Sequence, residues 1–291
     1  MRIPTMKHTI AGAALAAAIT TAHAGQALDL AVINGDAASF HVNAVLVSGP
    51  TEAILVDTGF TRADALRIAA RVLDSGKRLT AIYVSQADPD YYFGAATLAA
   101  IFPEVPIVAA PAVLERMRTK AEAKRDFWWP KMGDNAPRRM VLPQPLSGST
   151  LAIGGEVLEI RGLQGPLAHR PYVWIPSVKA VIGNIAVFSG LHVWTADTPG
   201  AALRQAWLAQ LDEITALHPA TVVPGHMAAG AATDLSAVGF TRDYLLRFDA
   251  EAGQAKDSGT LIGAMQRAYP EAGLGIALDI GAKVATGEMA W

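Results

Sequence analysis

Two carboxylates flank a proline in the stretch VSQADPDYYFG, where a predicted strand, Leu79–Val84, ends and a helical pattern begins at Ala95. Loops at strand ends often carry the groups that bind ligands or catalyse reactions. Asp88 and Asp90 therefore have the side-chain chemistry to ligate a hard cation through oxygen. Aspartate also accepts backbone N–H bonds at the start of a helix, so capping of the next helix is the alternative for both residues.

The composition indicates a globular protein whose ligand is a small molecule or a protein. The chain has 291 residues, of which 52% are hydrophobic and 17% charged, and this supplies a sizeable core and argues against disorder. A net charge of −2 with no block of Lys or Arg predicts no nucleic acid as partner. Because the chain has no cysteine, any metal site must use His, Asp, Glu or neutral oxygen ligands.

The N-terminal residues have the pattern of a secretory signal peptide. Arg2 and Lys7 form a basic lead, Ile10–Ile19 is an apolar run, and Ala22–Ala24 is an Ala-His-Ala cleavage site. An uncleaved anchor is the alternative, but the apolar run is shorter than the roughly 20 residues that a spanning helix needs. We expect a secreted chain that starts near Gly25, lies in a bacterial periplasm and keeps no attachment to the membrane.

Strand and helix patterns alternate along the expected mature chain. Two apolar strands joined through Gly49-Pro50 predict a β-hairpin, and a helical pattern follows that ends at Gly76. Later segments predict two more hairpins, one turning at Gly154-Gly155 and one near Ser177. Two halves, each with strands followed by helices, predict an α+β fold of αββα type, a sandwich of two packed β-sheets with helices on the outer faces.

The sequence contains no linker or low-complexity tract that would divide this sandwich. We therefore predict a signal peptide at residues 1–24 and a single domain at residues 25–291, which includes the C-terminal helices from about 240 to 291. Asp197 is expected to cap a helix that begins near Pro199.

Four motifs in order resemble one known family. ILVDTGF, VSQADPDYYFGA, VIGNIAVFSGLHVW and TVVPGH follow one another at the distances found in the metallo-β-lactamase superfamily, which consists of metal-dependent hydrolases with an αββα fold. The resemblance runs from about His41 to His226. It implies a metallo-β-lactamase-like fold and, where the ligands are retained, hydrolysis at a metal centre.

The metal-binding turn of this family has the form His-x-His-x-Asp-His. The residues of this chain at those four positions are Gln86, Asp88, Asp90 and Tyr91, so only the aspartate is unchanged. Residues at i and i+2 of a strand end face the same side, so Gln86 and Asp88 take the positions that converge on the first metal. A Gln carbonyl is a poor zinc ligand beside imidazole.

Two further departures from the family pattern affect both metal positions. Pro166 in LQGPLAH stands where the family has a histidine, although His169 is near enough to take its place if the loop differs. Asn184 in VIGNIAVF replaces the aspartate that joins the two metals in the family. This replacement removes a negative charge between two cations.

The resemblance retains residues of the second metal site. Asp90 and His226 match two of its ligands, and Asp57 in VDTG matches a buried aspartate that orients the site, so Asp90 and Asp57 are the expected catalytic groups. Asp88 adds a carboxylate, and Asp88, Asp90 and His226 are the predicted metal ligands, with Asn184 or His192 nearby. We expect at most one divalent metal ion, zinc or a harder cation, and none if the site is inactive.

Four other residues are predicted to contact a substrate, namely Tyr91, Trp128, Trp129 and His192. Tyr91 takes a ligand position of the family turn, and the two tryptophans lie in a polar segment with Pro and Gly that we interpret as a loop. Packing onto the sandwich is the alternative for the tryptophans and for His192.

Two functions follow from this pattern. In the first, the protein is a hydrolase with a modified single-metal site, in which a metal-bound water attacks an ester, lactone or amide. In the second, it is a catalytically inactive relative that binds a small molecule or a partner in the same cleft. The missing ligands favour binding, whereas the retained Asp90 and His226 favour hydrolysis, and the balance is slightly towards the hydrolase.

Overall fold

The computed structural model describes Met1 and residues 27–291. The predicted signal peptide lies outside the described residues apart from Met1. The strands are β1 (Asp29–Asn34), β2 (Asn43–Ser48), β3 (Glu52–Val56), β4 (Arg78–Val84), β5 (Ile107–Ala109), β6 (Gln144–Pro145), β7 (Thr150–Ile153), β8 (Glu156–Arg161), β9 (Tyr172–Ile175), β10 (Ala180–Ile182), β11 (Phe188–Ser189), β12 (Thr221–Val222) and β13 (His226–Met227). The helices are α1 (Arg62–Asp74), α2 (Pro89–Tyr92), α3 (Ala95–Ile101), α4 (Pro111–Met132), α5 (Ala201–Ala216), α6 (Leu235–Ala252), α7 (Ser258–Ala268) and α8 (Gly275–Ala285).

The first sheet has six strands in the order β1-β2-β3-β4-β5-β6. Strands β1 to β3 pair antiparallel, and β3 to β6 pair parallel. The predicted hairpin through Gly49-Pro50 is confirmed, because the Gly49 amide donates to the Glu52 carbonyl and Ser48 pairs with Ala53. Each parallel strand ends at the same edge of the sheet, and the loops after β3 and β4 therefore meet there.

The second sheet has five strands in the order β12-β10-β9-β8-β7. Both predicted hairpins are confirmed, since β7 pairs antiparallel with β8 across Gly154-Gly155, and β9 pairs antiparallel with β10 across Pro176–Val178. A separate parallel pair of short strands, β11 and β13, places Phe188 opposite His226.

The alternation of side chains along β9 shows how the layers of the sandwich stack. Val173 and Ile175 lie in a core shared with the first sheet, whereas Tyr172 and Trp174 lie in a second core shared with α5 to α8. Successive side chains of a strand point to opposite faces, so the second sheet has one face on the first sheet and the other under helices. Helices α1 and α3 cover the far side of the first sheet. The predicted αββα sandwich is confirmed.

Local sequence explains the start of α1. Thr61 caps the helix and forms a capping box with Asp64, whose carboxylate accepts from the Thr61 amide. Buried Ile68 and Val72 lie on the face that packs on the first sheet, and the chain leaves the helix at Gly76, which has a φ of +63° that suits glycine.

The segment with the two tryptophans is a helix, and its prediction as a loop is wrong. Trp128 and Trp129 lie in the last turns of the long helix α4, and Pro130 is inside that helix. Because Pro130 is so close to the helix end, its missing N–H and its ring disturb only the final turn. Within residues 27–291, no helix is both long enough and apolar enough to cross a membrane.

Candidate functional site

The loops after β3 and β4 are held together by Asp57. This residue has a φ of +68°, and its carboxylate accepts hydrogen bonds from the Ser85 amide and the Ser85 hydroxyl, both at 2.7 Å. Burial raises the pKa of Asp57 to about 8 in spite of these two hydrogen bonds. Asp57 does not line the cavity that contains Asp88 and Asp90, and through its two bonds to Ser85 its carboxylate positions the β4 loop.

The β4 loop leads into α2, which carries the two predicted carboxylates. Asp88 precedes α2 at the N-cap position, but its side chain makes no capping hydrogen bond. Asp90 lies in the first turn and is 6% exposed. Both carboxylates line one cavity. Capping by Asp88, the alternative considered from the sequence, is therefore wrong.

Asp90 and His226 lie side by side in the lining of that cavity. The Nδ1 of His226 donates to the Phe40 carbonyl at 2.9 Å, and its Nε2 lies 3.4 Å from the Oδ2 of Asp90. The imidazole stacks on Phe188 with 4.9 Å between ring centroids. Burial lowers the pKa of His226 to about 4, and burial followed by the charge of Asp88 raises the pKa of Asp90 well above its usual range.

The other residues at the family's ligand positions make hydrogen bonds within the fold. Asn184 donates from Nδ2 to the Val223 carbonyl and accepts at Oδ1 from the Val187 amide, both at 2.9 Å. The fully buried Tyr91 donates to the Asn184 carbonyl at 3.1 Å.

Gln86 is also used inside the fold. Its Nε2 donates to the Pro171 carbonyl at 2.7 Å, and its buried Oε1 has no hydrogen-bond partner among the described residues.

These positions do not fit the two-metal centre that the family implies. The amide of Asn184 has both its polar atoms bonded to backbone groups, so it is held in place within the fold and offers no negative charge to a cation. Of the predicted ligands Asp88, Asp90 and His226, the last two form a close pair, with 3.4 Å between Oδ2 of Asp90 and Nε2 of His226. Over residues 27–291, no group of three or more His, Asp or Glu side chains is arranged to hold a metal ion.

The cavity lined by Asp90 and His226 has aromatic walls. Its volume is about 40 Å³, and it is lined by Phe40, Phe60, Asp88, Pro89, Asp90, Lys124, Trp128, Ile185, Phe188, Trp194, Asp197, His226, Leu274 and Trp291. We call it the aromatic cavity. A cavity needs a volume of roughly 10–15 Å³ to hold one water molecule. The aromatic cavity thus admits a few heavy atoms of a small organic molecule.

Three of the predicted substrate contacts, Tyr91, Trp129 and His192, do not line the aromatic cavity. Tyr91 is fully buried against Asn184, as described above. Trp129 packs against Phe93 with 6.2 Å between ring centroids. His192 is 3% exposed, and its Nδ1 makes a hydrogen bond of 3.0 Å with the Tyr244 hydroxyl. His192 therefore has the packing role that was its alternative.

A second, smaller cavity adjoins the first, and sequence reasoning did not anticipate it. Its volume is about 20 Å³, and it is lined by Ala87, Asp88, Arg116, Lys120, Lys124, His169, Arg170 and Asp197. We call it the basic cavity. It shares Asp88, Lys124 and Asp197 with the aromatic cavity. Burial and the charge of Asp197 raise the pKa of Asp88 to about 6.

Asp197 does not have the helix-capping role predicted for it. Helix α5 begins at Ala201 after Gly200, without a side-chain cap. The Oδ2 of Asp197 instead accepts from the Trp194 indole at 2.9 Å. One sequence signal did point to the basic cavity: Arg116, Lys120 and Lys124 recur every four residues and so share a helix face.

Comparisons with known proteins agree with this fold. A sequence profile described as Metallo-beta-lactamase superfamily matches residues 39–226. A metallo-beta-lactamase from Pontibacter korlensis is 18% identical, with 75% of this chain and 99% of that chain covered and a TM-score of 0.54. A metallo-beta-lactamase family protein from Thermus thermophilus is 16% identical, with 89% of this chain and 91% of that chain covered and a TM-score of 0.61.

At identities this low, the structural similarity establishes the fold alone and does not indicate the substrate of this chain. A search of curated proteins finds no match. The profile spans more than half of the chain, and the solved structures share its sandwich. This chain belongs to the metallo-β-lactamase superfamily.

Proposed function

We propose that this protein is a member of the metallo-β-lactamase superfamily that binds a small organic molecule in the aromatic cavity and does not use the two-metal hydrolysis of the family. The observation that carries the proposal is the bonding of Asn184, whose amide is committed to Val187 and Val223 where the family has a metal-bridging aspartate. Binding without turnover, the alternative in the sequence analysis, thereby becomes the favoured function.

The walls of the aromatic cavity support a binding role. Phe40 packs edge-on against Trp128 and Trp194, with 5.2 and 6.1 Å between ring centroids. Trp194 in turn packs against Trp291 at 5.5 Å. Aromatic walls with a few polar groups at one end are typical of sites that bind small molecules. Asp88, Asp90 and His226 supply those polar groups here.

Tryptophan indole signals in NMR spectra test the binding role. The chain has 6 tryptophans, and those that line the aromatic cavity are Trp128, Trp194 and Trp291. Titration with butanamide, a neutral probe whose three-carbon alkyl chain matches the size of the cavity, should shift these three indole N–H signals in a saturable way. The signals of Trp129 and Trp174 should stay in place, because neither residue lines the aromatic cavity. If no cavity signal moves at any butanamide concentration, the binding role is wrong.

Hydrolysis assays test the second half of the proposal. We expect the protein to cleave 4-nitrophenyl acetate, γ-butyrolactone and a β-lactam no faster than its Asp90→Asn variant, with or without added zinc. A rate above that of the variant that disappears on treatment with a chelator would instead establish the single-metal hydrolase.

We also propose export to the periplasm. The support is the order of basic lead, apolar run and Ala-His-Ala site in residues 1–24. Mass spectrometry of the protein recovered from the periplasm should give a chain that starts within a residue or two of Gly25. A recovered chain that still starts at Met1 would contradict export with cleavage.

A further inference from the structure

The basic cavity contains a buried guanidinium whose bonding is incomplete. Arg170 is 4% exposed, its Nη2 donates to the Ile185 carbonyl at 3.4 Å, and its Nη1 has no hydrogen-bond partner among the described residues. Its Cζ lies 4.4 Å from the centre of the Trp207 ring, which holds the guanidinium plane in place. A buried guanidinium is costly unless anions or acceptors satisfy its N–H groups.

The neighbouring carboxylates do not satisfy this guanidinium. Asp88 and Asp197 line the same cavity, yet within residues 27–291 neither lies in an ion pair of 4.0 Å or less with a lysine or arginine. Asp197 already accepts from the Trp194 indole. The guanidinium is therefore placed beside two acids without a close pairing to either of them.

The lining has an excess of positive charge. The lining contributes four positive charges, from Arg116, Lys120, Lys124 and Arg170. It contributes two negative charges, from Asp88 and Asp197, which leaves an excess of two positive charges. His169 adds none at neutral pH, because burial and then the charge of Arg170 lower its pKa to about 4. Like charges crowded in a poorly solvated space favour the entry of an anion.

The size and shape of the space select the anion. A cavity of about 20 Å³ admits one or two atoms of the size of a water molecule, on the scale of roughly 10–15 Å³ for each. The two oxygens of a carboxylate match this space and match the planar fork of a guanidinium.

The aromatic cavity supplies room for the rest of such a molecule. Lys124 lies on the boundary, since it lines both cavities and its Nζ is 4.5 Å from the centre of the Trp291 ring. A molecule with an acidic end at Arg170 would pass Lys124 and place its apolar end among the aromatic side chains.

We propose that the basic cavity binds the carboxylate of a short-chain carboxylic acid, with Arg170 as its main partner and Lys120 and Lys124 as supporting charges, while the aromatic cavity binds the alkyl chain. This inference rests on the proposed function, because it names the class of ligand for the same cleft. A guanidinium here lies beside Ala87, Asp88 and His169, on the loops where the sequence resemblance places ligands of the first metal.

Butanoate and butanamide differ only at the end that the basic cavity would hold, so a paired titration of the mature protein tests the inference. We expect butanoate to bind at least about tenfold more tightly, as a charge-assisted pair with arginine should. Trp207, whose ring contacts Arg170, should shift with butanoate and stay in place with butanamide.

Three variants test which residues cause the tighter binding of butanoate. Arg170→Met keeps the packing on Trp207 and should lose about tenfold or more of the affinity for butanoate, while the affinity for butanamide stays the same. Lys120→Gln should lose a smaller factor. Arg118→Gln is the matched control, because it removes one positive charge from the same helix at an exposed residue that does not line the basic cavity, and it should bind butanoate as the natural protein does.

The outcomes separate the two proposals. If butanamide and butanoate bind equally and Lys120→Gln and Arg170→Met change neither, the carboxylate site is wrong while the binding role stands. If neither probe moves an indole signal of the aromatic cavity, both proposals fail. Should Arg170→Met not fold, Lys120→Gln against Arg118→Gln still decides, since equal butanoate affinities for these two variants would overturn the carboxylate site.

Discussion

Asn184→Asp restores the residue that the family has at this position, and we predict that it destabilises this protein. The side chain of Asn184 is 1% exposed and bridges the Val187 amide and the Val223 carbonyl. A carboxylate keeps the bond from Val187 but cannot donate to Val223. A buried carbonyl then loses its partner and faces a negative charge.

The magnitude follows from these two bonds. Leaving a buried polar group unsatisfied costs about 1–3 kcal/mol, and the buried negative charge raises this, so we expect a loss of about 2–4 kcal/mol in the free energy of unfolding at pH 7. The protonated acid donates to Val223 again. The pKa of the introduced carboxyl group in the folded variant should therefore lie above its unfolded value of about 3.9, so the loss should grow as the pH rises from about 4 through the folded pKa.

Urea unfolding of both proteins between pH 5 and pH 8 measures this loss as a change in midpoint at constant m value. Asn135→Asp is the control, since the exposed Asn135 only accepts, from the Ala63 amide, and a carboxylate accepts equally well. It should change the stability by no more than about 0.5 kcal/mol. A variant at position 184 as stable as the natural protein at pH 7, or one rescued by zinc, would refute the reasoning.

Two further predictions concern residues around the site. Gly225→Ala should unfold the protein or lower its melting temperature strongly, because the added Cβ would overlap the Asn184 carbonyl oxygen, whereas Gly239→Ala in α6 meets nothing within 4 Å and should be neutral or stabilising; equal melting temperatures would contradict this. Asp57, with its pKa raised to about 8, should make the natural protein lose stability as the pH rises from about 4 to 8, with a slope approaching 1.4 kcal/mol per pH unit, and Asp57→Asn should flatten this slope. If the free energy of unfolding changed with pH at the same slope for both proteins, Asp57 would not be the group that binds the proton.

Local patterns were sufficient to predict most of the sandwich. The hairpins turn at glycines and a proline, and α1 has a periodic apolar face that ends at Gly76, so short stretches of sequence carry the signal. Helix α4 was missed at Trp128 and Trp129 because Pro130 suggests a loop, although a proline in the last turn of a helix removes little.

The candidate site was only partly predictable, because its decisive contacts are distant in sequence. The alignment of motifs identified Asn184 as a departure, but not that its amide binds Val223, which is 39 residues away. Arg170 is a single arginine in a loop, and only the folded chain brings it next to helix α4 and Asp197. Single residues whose role depends on long-range contacts give no periodic signal.

Zinc titration of the metal-free protein, measured by calorimetry, tests the central claim most directly. Asp90 and His226 alone provide too few ligands for tight binding, so we predict no zinc ion bound with a dissociation constant below about 1 µM. Binding of two zinc ions per chain with such affinity would contradict the account, because it would require Asn184 and its neighbours to leave the hydrogen bonds described above.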